Sequence, residues 1–284
     1  MSWSRLLAAL LLTGPFLATI VLAEKGDYIL GAGVSVDDEN GFAAIVVADL
    51  SVAEQTWLSA SIGRNSVELP NLEDLDTWLG ELSIDHFWEP AGVRLGVAYW
   101  GDARILDSVD WFAALYTQGQ KGRISVDAEY RDLELELPPF DIFARTNIPF
   151  HAGGLGVSGR LNISERTDLR FAGMSYEYNV NLRIEDTDRV VRLLSISRLS
   201  LLSSLIDWRV SAGIGVNFGL QRWQLDVAKW RGAIDGGDNR SVTIAFLTPM
   251  TDKTDIEISL GYDDSDLYGE VTVLNLFLYF YGGD

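Results

Sequence analysis

From residue 27 onward the chain alternates apolar side chains with small or polar ones at a period of two. Trp208, Val210, Ala212, Ile214, Val216 and Phe218 interleave with Arg209, Ser211, Gly213, Gly215 and Asn217. That period sends the two sets to opposite faces of a β-strand. The pattern recurs at 27–36, 42–50, 56–64, 78–87, 93–102, 108–117, 123–131, 153–163, 168–178, 207–218, 221–230, 240–248, 254–262 and 269–280. Most of these segments are roughly 9–11 residues long, the length a tilted strand needs to cross a bilayer. Lipid offers no partner to an open sheet edge, so strands cross it only when the sheet closes. The expected fold is all-β, a closed antiparallel transmembrane β-barrel.

The connections fall into two alternating kinds. Short turns are expected at 53–55, 89–92, 118–122, 165–167, 219–220 and 249–253. More variable loops are expected at 37–41, 65–77, 103–107, 132–152, 179–206, 231–239 and 263–268. Membrane barrels separate turns and loops to opposite ends in this way. Counting 139–147 and 192–204 as strands gives sixteen and breaks the alternation, so fourteen strands are preferred over twelve or sixteen. Leu194, Arg198, Leu201, Leu202 and Leu205 share a helical face. A greasy stretch of that length should not stand in water; it is expected to pack across the lumen as a plug, to lie on the rim, or to add a strand pair.

Residues 1–23 carry one basic residue, Arg5, two apolar runs and then Val21-Leu22-Ala23. They read as a signal peptide cleaved before Glu24, with an uncleaved anchor as the alternative. The barrel domain is then 24–284. The chain has no cysteine, which rules out a disulfide framework. Its formal charge is −19, and loss of 1–23 with the single charge of Arg5 makes it −20. Such a balance argues against nucleic acid as a partner. Acidic external loops suit divalent cations and, through them, lipopolysaccharide. Hydrophobic residues make up 48% of the chain, a modest share that fits strands exposing only alternate residues to lipid.

The lipid-facing sets include Tyr28, Leu30, Ala32, Val34 and Val36, then Leu95, Val97 and Tyr99, then Ile256, Ile258, Leu260 and Tyr262. Trp57, Trp78, Trp88, Trp208, Trp223 and Trp230 sit near strand ends, where aromatic girdles meet the membrane interfaces. With the leader, the dyad strands and the last strand Val271–Tyr281, the chain resembles Gram-negative outer-membrane β-barrel proteins. The resemblance implies an outer-membrane location, contact with outer-membrane lipid, and a last strand read by the barrel assembly machinery. That strand departs from the class pattern in carrying Gly282-Gly283-Asp284 after Tyr281.

Few residues suggest covalent chemistry. Gly154-Leu-Gly-Val-Ser-Gly159 matches a dinucleotide fingerprint by letter, but a strand rather than a helix is expected after it, so no cofactor is expected. Barrel enzymes of the class resembled here, lipid-A deacylases and phospholipases, use a serine activated by histidine. Only His86 and His151 are present, the first in lipid-facing phase and the second in an expected loop without an adjacent serine. Asp263, Asp264, Ser265 and Asp266 with Gly269 and Glu270 fail the calcium-loop spacing, and Glu68, Glu73, Asp74 and Asp76 read as a solvated loop or a cation-bridged lipid contact, so no metal site beyond weak surface cations is expected.

Inward-facing charge is the most suggestive feature. Glu81, Asp85, Asp127 and Glu129 form an expected acidic wall, and Arg160, Arg170 and Arg209 an expected basic wall opposite, an arrangement that resembles a porin constriction. Ile45, Val47 and Leu247 also point inward and weigh against a wide pore. The sequence therefore favours a porin-like channel of small conductance for small polar solutes. A plugged, structural or partner-binding barrel is the second reading, and a lipid-modifying hydrolase the third.

Overall fold

The structure, a computed structural model, describes residues 26–39, 41–67, 75–102, 106–137, 146–180, 205–233, 236–266 and 269–283. Residues 1–23, read as a signal peptide, and residues 192–204 lie outside these. The strands are β1 (Tyr28–Asp37), β2 (Gly41–Ala53), β3 (Thr56–Val67), β4 (Leu75–Trp88), β5 (Ala91–Gly101), β6 (Leu106–Gly119) and β7 (Gly122–Leu137). They continue with β8 (Thr146–Asn162), β9 (Thr167–Tyr178), β10 (Ile206–Phe218), β11 (Gln221–Gly232), β12 (Asp238–Thr251), β13 (Thr254–Ser265) and β14 (Gly269–Gly282). Each pairs antiparallel with its neighbours in sequence, and β1 pairs β14 from Tyr28↔Gly282 to Asp37↔Val273, which closes the sheet. The barrel is thus a fourteen-stranded one, with short turns at one end and longer connections at the other.

The sheet reaches further at the long-loop end than the membrane-length segments suggest. Most of 132–152, expected as loop, is paired strand: β7 continues to Leu137 and β8 begins at Thr146. The period of two continues along both paired stretches, 132–137 and 146–152. Leu133 and Phe150 pair across the two strands and are almost wholly buried, whereas the outward positions turn acidic at Asp132 and Glu134. A wall that has left the lipid tolerates charge outside while still packing inside. Similarly, β3 runs to Val67 and β4 starts at Leu75, with Arg64 and Asp76 bridged at 2.7 Å on the outer surface.

The outer face carries a continuous apolar belt. Leu155 is 70% exposed and Val126 58%, and the sets anticipated on β1, β5 and β13 all point outward. Each such side chain gains about 1.5–3 kcal/mol on leaving water, and soluble monomers rarely expose patches above a few hundred Å². Only a lipid surround makes this belt tenable. Trp78, Trp88, Trp208 and Trp223 stand on this face, but Trp57 and Trp230 turn inward, Trp230 being 5% exposed. Their strand phase decides this: Trp230 shares the inward parity of Asp226 and Ala228.

The interior divides into two regions. On β1, β2, β12 and β14 it is filled by Ala43, Ile45, Leu247, Val273, Phe277 and Tyr279, with Ile29 and Val47 packed against them. The same cluster continues as a collar at the long-loop end through Leu79, Trp100, Leu106, Leu133, Phe150 and Leu205. Opposite, β4 to β11 direct charged and small residues inward.

Candidate functional site

Small residues hollow out the second region. Ala98 on β5, Ala114 on β6, Ser125 on β7, Ser158 on β8 and Ala172 on β9 face inward at mid-barrel, where larger side chains would meet. They leave a cavity of 260 Å³, just under the range of small-molecule sites. Six of the seven charged residues singled out from sequence line it: Glu81, Asp127, Glu129, Arg160, Arg170 and Arg209. The seventh, Asp85, stands toward the short-turn end and accepts a hydrogen bond from the Tyr116 hydroxyl. Arg123 stacks 3.4 Å above the Tyr116 ring and lies 3.7 Å from the Asp85 carboxylate.

The two-wall arrangement is replaced by interleaved pairs. Between the acidic residues stand Arg94, Arg123 and Arg131, which the sequence reading did not single out. Arg94 reaches Glu81 at 2.9 Å, and Arg131 reaches Glu129 at 2.5 Å. Asp110 accepts from the Trp100 indole at 3.1 Å and shares Arg131 at 3.8 Å. On the basic side, Asp168 gathers Arg222 at 2.6 Å and Arg160 at 3.1 Å, while Arg170 donates to Asp226 at 3.0 Å. Asp127 and Glu129 are also not opposite the arginines: β7 adjoins β8. Charge out of bulk water needs a partner or hydration, and most of these groups have a partner.

Several of these links cross an intervening strand because that strand carries glycine. The Tyr176 hydroxyl on β9 donates to Glu129 (3.0 Å) and accepts from Arg131 (2.9 Å), both on β7. Gly154 on β8 lies beneath the ring, where a Cβ would fall 2.6 Å from Tyr176 Cε1. Arg222 on β11 likewise reaches Asp168 on β9 over Gly215 of β10, where a Cβ would fall 2.1 Å from Nη2. The glycines of the fingerprint-like run are strand residues of β8 that make room for rings and backbone.

Two lining charges stand apart. The Asp127 carboxylate is held by hydroxyls alone, from Ser125 (2.7 Å) and Ser158 (2.8 Å). Arg209 has no ion pair or hydrogen bond among the described residues. The phase rule had identified both, but their difference from the other charges depends on register between strands.

The histidines lie on the outer face. His86 Nδ1 hydrogen-bonds Thr56 Oγ1 at 2.8 Å, beside the Trp88 ring. His151, expected in a loop, is a strand residue of β8 stacked on Tyr130 at 5.9 Å. Asp264 pairs with Arg240 at 2.6 Å, and Glu68, Glu73 and Asp74 lie outside the described residues.

No protein-family model matches the chain, and no curated protein is similar to it in sequence. Among solved structures it is similar to the CymD monoaromatic hydrocarbon channel, with a TM-score of 0.58 and 11% identity over 96% of this chain and 93% of that one. A loop-deletion mutant of OmpT, an outer membrane protein of Vibrio cholerae, gives 0.49 at 9% identity over 90% of this chain and 98% of that one. The KdgM porin in complex with disordered oligogalacturonate gives 0.46 at 7% identity over 90% and 99%. The fold is that of the outer-membrane β-barrel channels.

Proposed function

We propose that this chain is an outer-membrane channel that passes small polar solutes along one side of its lumen. The observation that carries the reading is the hollow region itself: a cavity lined by ionisable side chains inside a barrel whose other side is packed mostly with apolar ones, Glu257 standing among them between Leu247 and Phe277. Ionised groups in a closed space are costly unless they meet water, and the small residues between them give water room. Because the path is eccentric and meets the apolar collar, its conductance is small. Residues 1–23 serve as the export signal, lipopolysaccharide and bridging divalent cations meet the acidic outer rim, and the barrel assembly machinery inserts the last strand. Swelling of vesicles containing the refolded barrel tests the reading. Small sugars and amino acids should enter and larger oligosaccharides should not; vesicles indistinguishable from protein-free ones reject it.

A second reading, a barrel closed by its own side chains, draws on the same collar. Leu79, Leu106, Leu133, Phe150 and Leu205 are each no more than 2% exposed. Leu133→Ser separates the two readings. If the collar seals the wild type, only the variant passes solute; if the collar merely narrows the path, both do.

A further inference from the structure

The chamber contains one cation and one carboxylate that form no ion pair among the described residues, and both lie on one register row. Asp127 of β7 pairs with Gly156 of β8, Gly156 with Met174 of β9, and Met174 with Arg209 of β10. Three strand spacings of roughly 4.8 Å put their backbones about 14 Å apart along the wall. Between them Gly156 has no side chain, and Met174 folds into that gap, its Sδ 2.8 Å from where a Gly156 Cβ would fall, so the span between the two charges runs over an apolar thioether. Asp127 is held in place by the two serine hydroxyls, while Arg209 rises beside the apolar group of Tyr176, Ile206, Trp230 and Met174.

We propose that the chamber binds a small zwitterion, with its carboxylate on Arg209 and its ammonium on Asp127. This rests on the channel reading for its physiological meaning and names the solute class. A simple anion gains Arg209 but meets the field of Asp127, and a simple cation meets the reverse. A molecule bearing both charges across a short flexible span satisfies the two groups together and replaces the water each must otherwise hold. The neighbouring arginines and carboxylates, already paired, compete weakly for it.

Calorimetric titration of the refolded full chain in lipid nanodiscs tests this, with γ-aminobutyrate and ε-aminocaproate as zwitterions and butyrate and butylamine as singly charged probes. At least one zwitterion should bind about tenfold more tightly than either singly charged probe, the worth of one charge-assisted hydrogen bond. Arg209→Gln should erase its advantage over butylamine, Asp127→Asn its advantage over butyrate, and Arg209→Lys should retain most of the preference. The wild-type comparison decides the matter even where a variant fails to fold. Butyrate or butylamine binding as tightly as both zwitterions, or no binding by any probe, overturns the proposal. A barrel that binds the zwitterion yet passes no current removes the channel reading and leaves the site standing; one that conducts without the preference removes only the site.

Discussion

The Tyr176 hydroxyl ties the Glu129–Arg131 pair of β7 to β9 across β8, and its geometry makes it testable. Tyr176→Phe removes an acceptor and a donor from charged partners and should cost about 1–3 kcal/mol in urea unfolding from vesicles. Gly154→Ala should cost a comparable amount by lifting the ring, while the adjacent outward Gly153, with nothing near its Cβ position, should accept alanine with little change. At this scale the sequence was half legible. Alternation gave the inward phase of Glu81, Asp127, Glu129, Arg160, Arg170 and Arg209. It would equally have given Arg94 between Val93 and Leu95, Arg131 after Tyr130, and Asp226 between Leu225 and Val227. What it could not give was who meets whom. A pair such as Arg222 and Asp168 depends on the register of two hairpins, which a single-residue slip would abolish. The expected pair of opposed walls failed for that reason.

Individual strands were legible where lipid imposes its rule and less so where the sheet leaves the membrane. Mid-belt, the alternation predicts facing well enough to support a substitution. Leu155→Arg, on the exposed face of β8, should destabilise the barrel by about 2–4 kcal/mol in the same unfolding assay. Arginine at Lys121, in the short turn before Gly122, should have almost no effect. Beyond the belt the outward positions turn acidic, as at Asp132 and Glu134, and strand resembles loop in sequence although the inward leucines continue. The ends can be told apart chemically. Glu39→Cys, in a longer connection, should label with an impermeant maleimide on intact cells, and Lys121→Cys only after the outer membrane is opened. The opposite result would invert the barrel.

For the molecule as a whole, the division of the lumen into a packed side and a hollow side governs what can pass. A guanidinium with no ion pair among the described residues, set in a narrow path, biases ions most where screening is weakest, and the Debye length shortens from about 30 Å at 0.01 M salt to about 10 Å at 0.1 M. Arg209→Glu should therefore shift the reversal potential toward cation selectivity, more at low salt than at high. This division was legible only in part. Ile45, Val47 and Leu247 already pointed to a filled lumen and the charged residues to a wet one, but that the two occupy separate sides follows from closure of β1 on β14. The most direct test is single-channel current through the refolded barrel and two variants. The account predicts small, resolvable steps for the wild type, a loss of most of that current in Ala172→Trp, which fills the chamber, and nearly unchanged current in Val47→Leu on the packed side. A silent wild type, or an Ala172→Trp barrel that conducts as well as the parent, would contradict it.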